Sequence, residues 1–179
     1  MPGFPEWAQA TAARRAHVER VAVLVGSWAD AMKTPAEERH RWLRAVYLHD
    51  ALRDAPPELL TSLTDHRWHS PSLLHGPAAA EYAARHGERD RGVLDAVRYH
   101  SVGYAGWDAV GRILYLADYL EPGREFRDDE RRAMARRVPQ ETRAVLQEVA
   151  AERLHWLIRS GWPLMAETVE FWNTLARAS

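Results

Sequence analysis

The chain contains no cysteine. That excludes a disulfide framework and removes thiolate from any metal site, leaving imidazole and carboxylate as donors. Lysine is almost missing too: Lys33 is the only one, and arginine carries the remaining positive charge. No apolar run approaches the roughly 20 residues that a membrane helix needs. The opening stretch Met1-Pro2-Gly3-Phe4-Pro5-Glu6-Trp7 lacks the basic and apolar regions of a secretory signal, so a cytoplasmic location is expected. A formal net charge of -1 leaves no excess of either sign, and nucleic acid is therefore not an expected partner.

What is present is mostly helix former. A length of 179 residues suits one domain built on one core, expected over residues 1–179. Val18, Val21, Ala22, Val25, Ala29 and Met32 recur at the spacing of one helix face, with His17 one turn before Val21. Thr34-Pro35-Ala36-Glu37 has the form of a capping box with proline at the first helical position. The helix it opens carries Trp42, Ala45, Val46 and His49 on its inner face and is expected to end near Asp54-Ala55-Pro56-Pro57. A short helix from Glu58 to Leu63 and a loop from Thr64 to Ser72 follow. Further helices are expected from Pro77 to Arg85, from Asp90 to Tyr99, from Asp108 to Asp118, from about Val138 to Arg159, and from Met165 to Ala176. No strand pattern or internal repeat interrupts them. The fold class is all-α, a helical bundle.

Nine histidines are the informative residues. His49-Asp50, adjacent on the inner side of a helix, is the sharpest local feature, although taken alone such a pair is better explained by a partly buried, hydrogen-bonded histidine beside a solvated carboxylate. Its company changes the balance. His17, His75, His100 and Asp118 each fall on or at the end of a different expected helix, near an apolar stripe or a Gly/Pro turn. A bundle can aim such side chains into one cavity. Imidazole and carboxylate suit iron, manganese or zinc. A set of His17, His49, Asp50 and Asp118 suffices for one metal; His75 and His100 are what a second would require, with Asp50 placed to bridge. Two metals about 3.5–4 Å apart can generate hydroxide at neutral pH and clamp the oxygens of a phosphoryl displacement.

The segments carrying these residues resemble a known family. They are Arg14-Arg15-Ala16-His17, Leu48-His49-Asp50-Ala51-Leu52-Arg53-Asp54, Leu73-Leu74-His75-Gly76-Pro77, Arg98-Tyr99-His100-Ser101-Val102-Gly103, and Leu116-Ala117-Asp118-Tyr119-Leu120-Glu121-Pro122-Gly123-Arg124. In order and spacing they are similar to the HD-domain phosphohydrolases, and within them to the YqeK-type symmetrical diadenosine tetraphosphate hydrolases. The core motifs cover residues 14–124, and C-terminal helices over 138–177 would complete the pocket.

The resemblance implies an HD-domain bundle with two divalent or mixed-valence metal ions, iron first, with manganese or another transition metal as alternatives. One ion would take His17, His49, Asp50 and Asp118; the other would take His75 and His100, with Asp50 shared. The implied reaction is hydrolysis of dinucleoside polyphosphates, chiefly diadenosine tetraphosphate to two ADP, by a metal-bridging hydroxide. Asp50, Asp54 and Arg124 would form the catalytic set, and Arg14, Arg53, His75, His100, Ser101 and Arg124 the substrate contacts. Asp54 would lie one helical turn beyond Asp50 in a supporting or proton-transfer role, with a solvated helix-end aspartate as the competing explanation. Arg53 and Arg98 are weaker candidates, better explained as structural ion pairs at the rim. The turn from Gly161 to Leu164 would lie near the nucleotide. Departures from the family pattern are Val18, where a hydroxyl residue is usual, and Arg53 and Arg112, where lysine is usual.

Other assignments stay open at this level. One is a different HD-type nucleotide phosphohydrolase, a nucleotidase or alarmone hydrolase. A second is a non-catalytic nucleotide-binding HD module, and a third a di-iron oxygenase. Trp68, Trp107 and Trp162 either stack an adenine or anchor loops. His40, His66, His69, His86 and His155 match no motif, and exposed helix faces leave room for a homodimer.

Overall fold

The computed structural model describes residues 2–65, 71–123 and 128–177, and among them every regular element is helical. The helices are α1 (Ala12–Ala31), α2 (Ala36–His49), α3 (Pro57–Ser62), α4 (His75–Arg85), α5 (Arg91–Tyr99), α6 (Ala109–Leu120), α7 (Asp128–Arg159) and α8 (Ala166–Arg177), with a 3₁₀ turn at Pro71–Leu73 before α4. None of them is long and apolar enough to cross a membrane.

α6 organises the rest. It buries Val110, Ile113, Leu114, Leu116, Ala117 and Leu120, so it is apolar nearly all round, as a central helix must be. Around it pack α1, α2, α5 and α7. α1 contributes the expected stripe of Val18, Val21, Ala22, Val25 and Ala29, plus Trp28, whose indole N–H donates to the Ala135 carbonyl at 2.9 Å. One contiguous core runs from α1 through Phe171 of α8. Truncating a fully buried member such as Leu116 or Leu120 to alanine is expected to cost about 2–5 kcal/mol.

The caps explain several boundaries. Thr11 starts α1 by accepting from the Arg14 amide, Asp90 starts α5 by accepting from Val93, and Asp108 starts α6 by accepting from Val110. Gly87, at φ 99°, stops the chain just beyond α4. Arg41 of α2 donates to Asp90 at 2.6 Å and to Asp108 at 2.8 Å, tying α2 to both of those caps.

Four expected boundaries are corrected. Pro35, not Thr34, is the N-cap of α2, with no side-chain cap bond, so the capping box does not form. α2 stops at His49 instead of running toward Asp54, because the N-terminal segment claims the backbone beyond it. Gln9 donates to the Ala51 carbonyl at 2.7 Å and accepts from the Asp54 amide, while Ala51 and Leu52 turn inward to full burial. α4 begins at His75, two residues before the proline expected to open it. α7 begins at Asp128, ten residues early; its dense opposite charges pair along the helix, as Arg132 does with Asp128, and it kinks at Glu141 just past Pro139.

Candidate metal centre

Helix ends deliver most of the site. His49 is the last residue of α2 and Asp50 its C-cap; His75 is the first residue of α4; His100 is the C-cap of α5. His17 faces inward from α1, and Asp118 from the last turn of α6. All six are buried, Asp118 the most accessible of them at 9%. Gly76 allows two of the arms to meet. A Cβ there would lie 2.9 Å from the Val97 carbonyl oxygen and 3.1 Å from the His100 ring, so only glycine lets α4 close on α5.

The tautomers follow from the backbone. Nδ1 of His49 lies 2.6 Å from the Val46 carbonyl, that of His75 3.0 Å from Ser72, and that of His100 2.8 Å from Val97. A carbonyl only accepts, so each Nδ1 carries the proton and each Nε2 turns a lone pair inward. His75 and His100 bring their Nε2 atoms within 3.0 Å of each other. Two lone pairs at that distance repel, and the pair is stable only with a cation, a proton or a metal, beside them. The Nε2 atom of His49 is buried without a hydrogen-bond partner, and that of His17 meets only the carboxylate oxygens of Asp118 and Asp50. Unpaired buried polar atoms are costly, and a metal ion would satisfy both.

Asp50 lies between the two sets. Its Oδ1 is 3.2 Å from His75 Nε2 and 3.8 Å from His100 Nε2. Its Oδ2 is 3.7 Å from His49 Nε2 and 3.9 Å from His17 Nε2. Two donor groups result, His17–His49–Asp50 and Asp50–His75–His100, each with its ligand atoms inside 4.8 Å. Asp118 joins the first through an Oδ1 that is 3.2 Å from His17 Nε2. Four imidazoles and two carboxylates without thiolate suit divalent transition metals, so the residues fit the ions that the sequence implies.

The electrostatics agree. Burial opposes ionisation of Asp50, yet positive charge at the surrounding histidines, first His49 and His75, holds its carboxyl well below the usual range, and bound metal would supply that charge where the rings are neutral. Burial, reinforced by His75 and His49, pushes His100 down to about 3 and keeps it a neutral donor. His17 goes the other way: despite burial, Asp118, Glu121 and Asp50 raise it to about 9.

The remaining expected residues are less uniform. Arg14 donates from Nη1 to Asp50 Oδ2 at 2.9 Å from the rim. Arg53 donates to the Ser72 carbonyl at 3.2 Å, and the same nitrogen is 3.3 Å from His75 Nδ1. Ser101 Oγ is 3.1 Å from His100 Nε2. Asp54 does not continue the face of Asp50, since α2 has ended; its Oδ2 accepts from the amide and hydroxyl of Thr11, both at 2.8 Å. Arg112 is exposed in the first turn of α6, away from Asp118 in its last. Trp107 anchors its loop, buried against Tyr115 and Phe171 with its N–H on the Asp95 carbonyl, whereas Trp162 is exposed. Arg124, His66, Trp68 and His69 lie outside the described residues.

Two contributors escape the sequence. Glu121 is 2% exposed, and its Oε1 lies 3.1 Å from His17 Nδ1. Arg153 donates to the Ser101 carbonyl at 2.8 Å, fixing the turn that bears His100, and its guanidinium lies over the Tyr115 ring. Glu121 follows Asp118 by three positions at the end of an apolar helix, which was the one available signal for it. Val18, the position lacking the usual hydroxyl, is fully buried in the core.

The family model described as HD domain matches residues 14–123. A protein of Bacillus subtilis (strain 168) named bis(5'-nucleosyl)-tetraphosphatase, symmetrical, is 33% identical over 113 residues, 62% of this chain and 59% of that one. A protein of the same name from Halalkalibacterium halodurans is 27% identical over 115 residues, 64% of this chain and 60% of its own. The matched stretch thus spans about three fifths of the length of these relatives. Among solved structures, a Clostridium acetobutylicum protein described as a predicted HD superfamily hydrolase involved in NAD metabolism superposes with a TM-score of 0.79 at 24% identity, over 92% of this chain and 89% of that one. At that identity the likeness concerns the fold.

Proposed function

The chain belongs to the HD domain family, whose model covers residues 14–123, and from that membership and the site geometry we propose that it is a metal-dependent phosphohydrolase cleaving diadenosine tetraphosphate into two ADP. The observation that carries the metal part is Asp50, with one oxygen turned to His17 and His49 and the other to His75 and His100. The substrate part is supported by the names of the two relatives.

Bound at this centre, a pair of metal ions, iron on our reading and manganese as the alternative, would lower the pKa of water and offset charge on phosphoryl oxygens. His17, His49, Asp50 and Asp118 would hold one ion, and His75 and His100 with Asp50 the other. Arg14 already reaches Asp50 from the rim, so the same guanidinium can meet a phosphate entering beside that carboxylate. Arg53 stands next to His75 and Ser101 next to His100, which puts a cation and a hydroxyl at the same mouth. Arg124, one residue past Gly123, is assigned to phosphate charge as the diphosphate leaves. Asp54 supports by fixing Thr11, the cap of the helix bearing Arg14 and His17, and lies near enough to Arg14 and Asp50 to feel their charge.

Symmetrical cleavage requires attack at an inner phosphorus with one nucleoside diphosphate half seated in the site and the other projecting outward. The enzyme is assigned to the cytoplasm. A homodimer is proposed through the exposed Trp156 and Ile158 of α7 and Trp162 just beyond it, and light scattering would test it. Chromatography of products from a panel of nucleotides tests the function. Two ADP from diadenosine tetraphosphate supports it; ATP plus AMP contradicts the symmetrical part. Turnover only of monophosphates or alarmones would move the chain to another branch of the family.

A further inference from the structure

The four histidines of the centre are not equally supported. His49, His75 and His100 each place Nδ1 on the main-chain carbonyl three residues earlier. His17 places Nδ1 3.1 Å from the Glu121 carboxylate instead. A carboxylate accepting the Nδ1 proton fixes the ring and makes Nε2 a stronger donor than a neutral carbonyl does.

Glu121 is itself held on three sides. Its Oε2 accepts from Arg20 Nε at 2.7 Å and from the Gly123 amide at 2.8 Å, while Oε1 takes His17 and a longer contact from Arg20 Nη2 at 3.4 Å. A Cβ at Gly123 would lie 2.2 Å from Arg20 Nε, so a larger residue there would have to displace the guanidinium from Glu121. Arg20 is 39% exposed, so water screens much of its charge, whereas Glu121 is buried and acts on His17 at short range. The half of the centre containing His17 also holds Asp118. The other half has two carbonyl-supported imidazoles and a share of Asp50.

We propose that Glu121 is a positioning residue that orients His17 and makes the His17–His49–Asp118 half the tighter of the two metal sites, the one that fills first. This rests on the metal-dependent reading above. Neither Glu121 nor Arg20 touches substrate in this scheme; both act through His17.

The test is a manganese titration of chelator-stripped protein, with free Mn²⁺ followed by electron paramagnetic resonance and the melting of the metal-free protein recorded alongside. The wild-type chain is expected to show two classes of site, one tighter. Glu121→Gln keeps the shape and an acceptor but removes the charge. It should weaken the tight class about 10- to 100-fold and leave the weaker class within about twofold. Arg20→Gln, which removes the guanidinium from Glu121 but keeps the carboxylate and its Gly123 bond, should weaken the same class by less, and it serves if the first variant does not fold. Equal loss at both classes, or no loss at either, overturns the assignment. Two equivalent classes in the wild type overturn it while leaving the metal reading intact. A wild-type chain that binds no manganese, iron or zinc defeats both, whereas two unequal sites without nucleotide cleavage would sink only the proposed substrate.

Discussion

Replacing Gly76 by alanine tests whether the approach of α4 to α5 builds the second half of the centre. The new Cβ would lie 2.9 Å from the Val97 oxygen, 3.1 Å from the Arg98 oxygen and 3.1 Å from His100 Cε1. Comfortable carbon–oxygen contacts start near 3.3 Å, so the helices must part by about 0.4 Å. Two of the three obstacles are backbone and cannot swing aside. Overpacking of this kind costs about 1–3 kcal/mol. Gly76 is the second residue of α4, where helix propensity returns little, so the net loss stays at about 1–3 kcal/mol. For a chain of this size that lowers the melting temperature by about 2–12 °C. The same displacement separates His75 from His100, so in a metal titration the weaker class of site should lose affinity while the class built on His17 keeps it. Gly76→Ala protein that melts with the wild type and binds both ions unchanged would refute the reasoning.

Three further outcomes follow from the same structure. Asp50→Asn should lose both classes of metal site and all turnover, since one side chain serves both histidine pairs; metal analysis after reconstitution checks it, and a loaded, active variant contradicts it. Metal affinity should rise with pH between 7 and 9 by up to about tenfold per unit, because His17, at about 9, must give up a proton to bind a cation. The sign for the metal-free protein is opposite: a histidine raised from 6.5 contributes stability below that value and loses it as pH climbs through about 9, so metal-free melting should fall across the window in which metal binding strengthens. Arg14→Gln removes a charge-assisted bond to Asp50 and a cation from the mouth, and kcat/KM for diadenosine tetraphosphate should drop about 10- to 100-fold with the fold intact; unchanged kinetics would remove Arg14 from the site.

Much of this architecture was legible from residue patterns, for reasons that also mark the boundary of legibility. The stripe from Val18 to Ala29 and the apolar run of α6 announce buried helices because burial and the 3.6-residue repeat coincide there. Helix ends are harder, since they depend on competitors elsewhere in the chain. α2 ends at His49 because Gln9, forty residues upstream, pairs with Ala51 and Asp54, and no local pattern reports that pairing. The same competition moved Asp54 from the face of Asp50 to Thr11. The start of α7 was obscured by charge density, although opposite charges four apart are what a solvated helix face offers.

The site divides in the same way. His49-Asp50 and the histidines beside Gly76 and Ser101 were visible as motif residues at expected helix ends. Glu121 was not, for its partner His17 is 104 positions away and the Glu-Pro-Gly sequence reads locally as a turn. Arg153 is likewise one arginine among many until α7 is laid against the His100–Ser101 turn.

On the proposed function, one shared carboxylate, that of Asp50, organises two metal positions in a phosphohydrolase. Metal analysis of the purified chain, reconstituted with iron or manganese and freed of excess ion, tests it most directly when the products of diadenosine tetraphosphate are resolved on the same sample. Two ions per chain and ADP as the sole nucleotide product are expected; a chain holding no metal, or one that turns over the substrate equally well after stripping, would overturn the assignment.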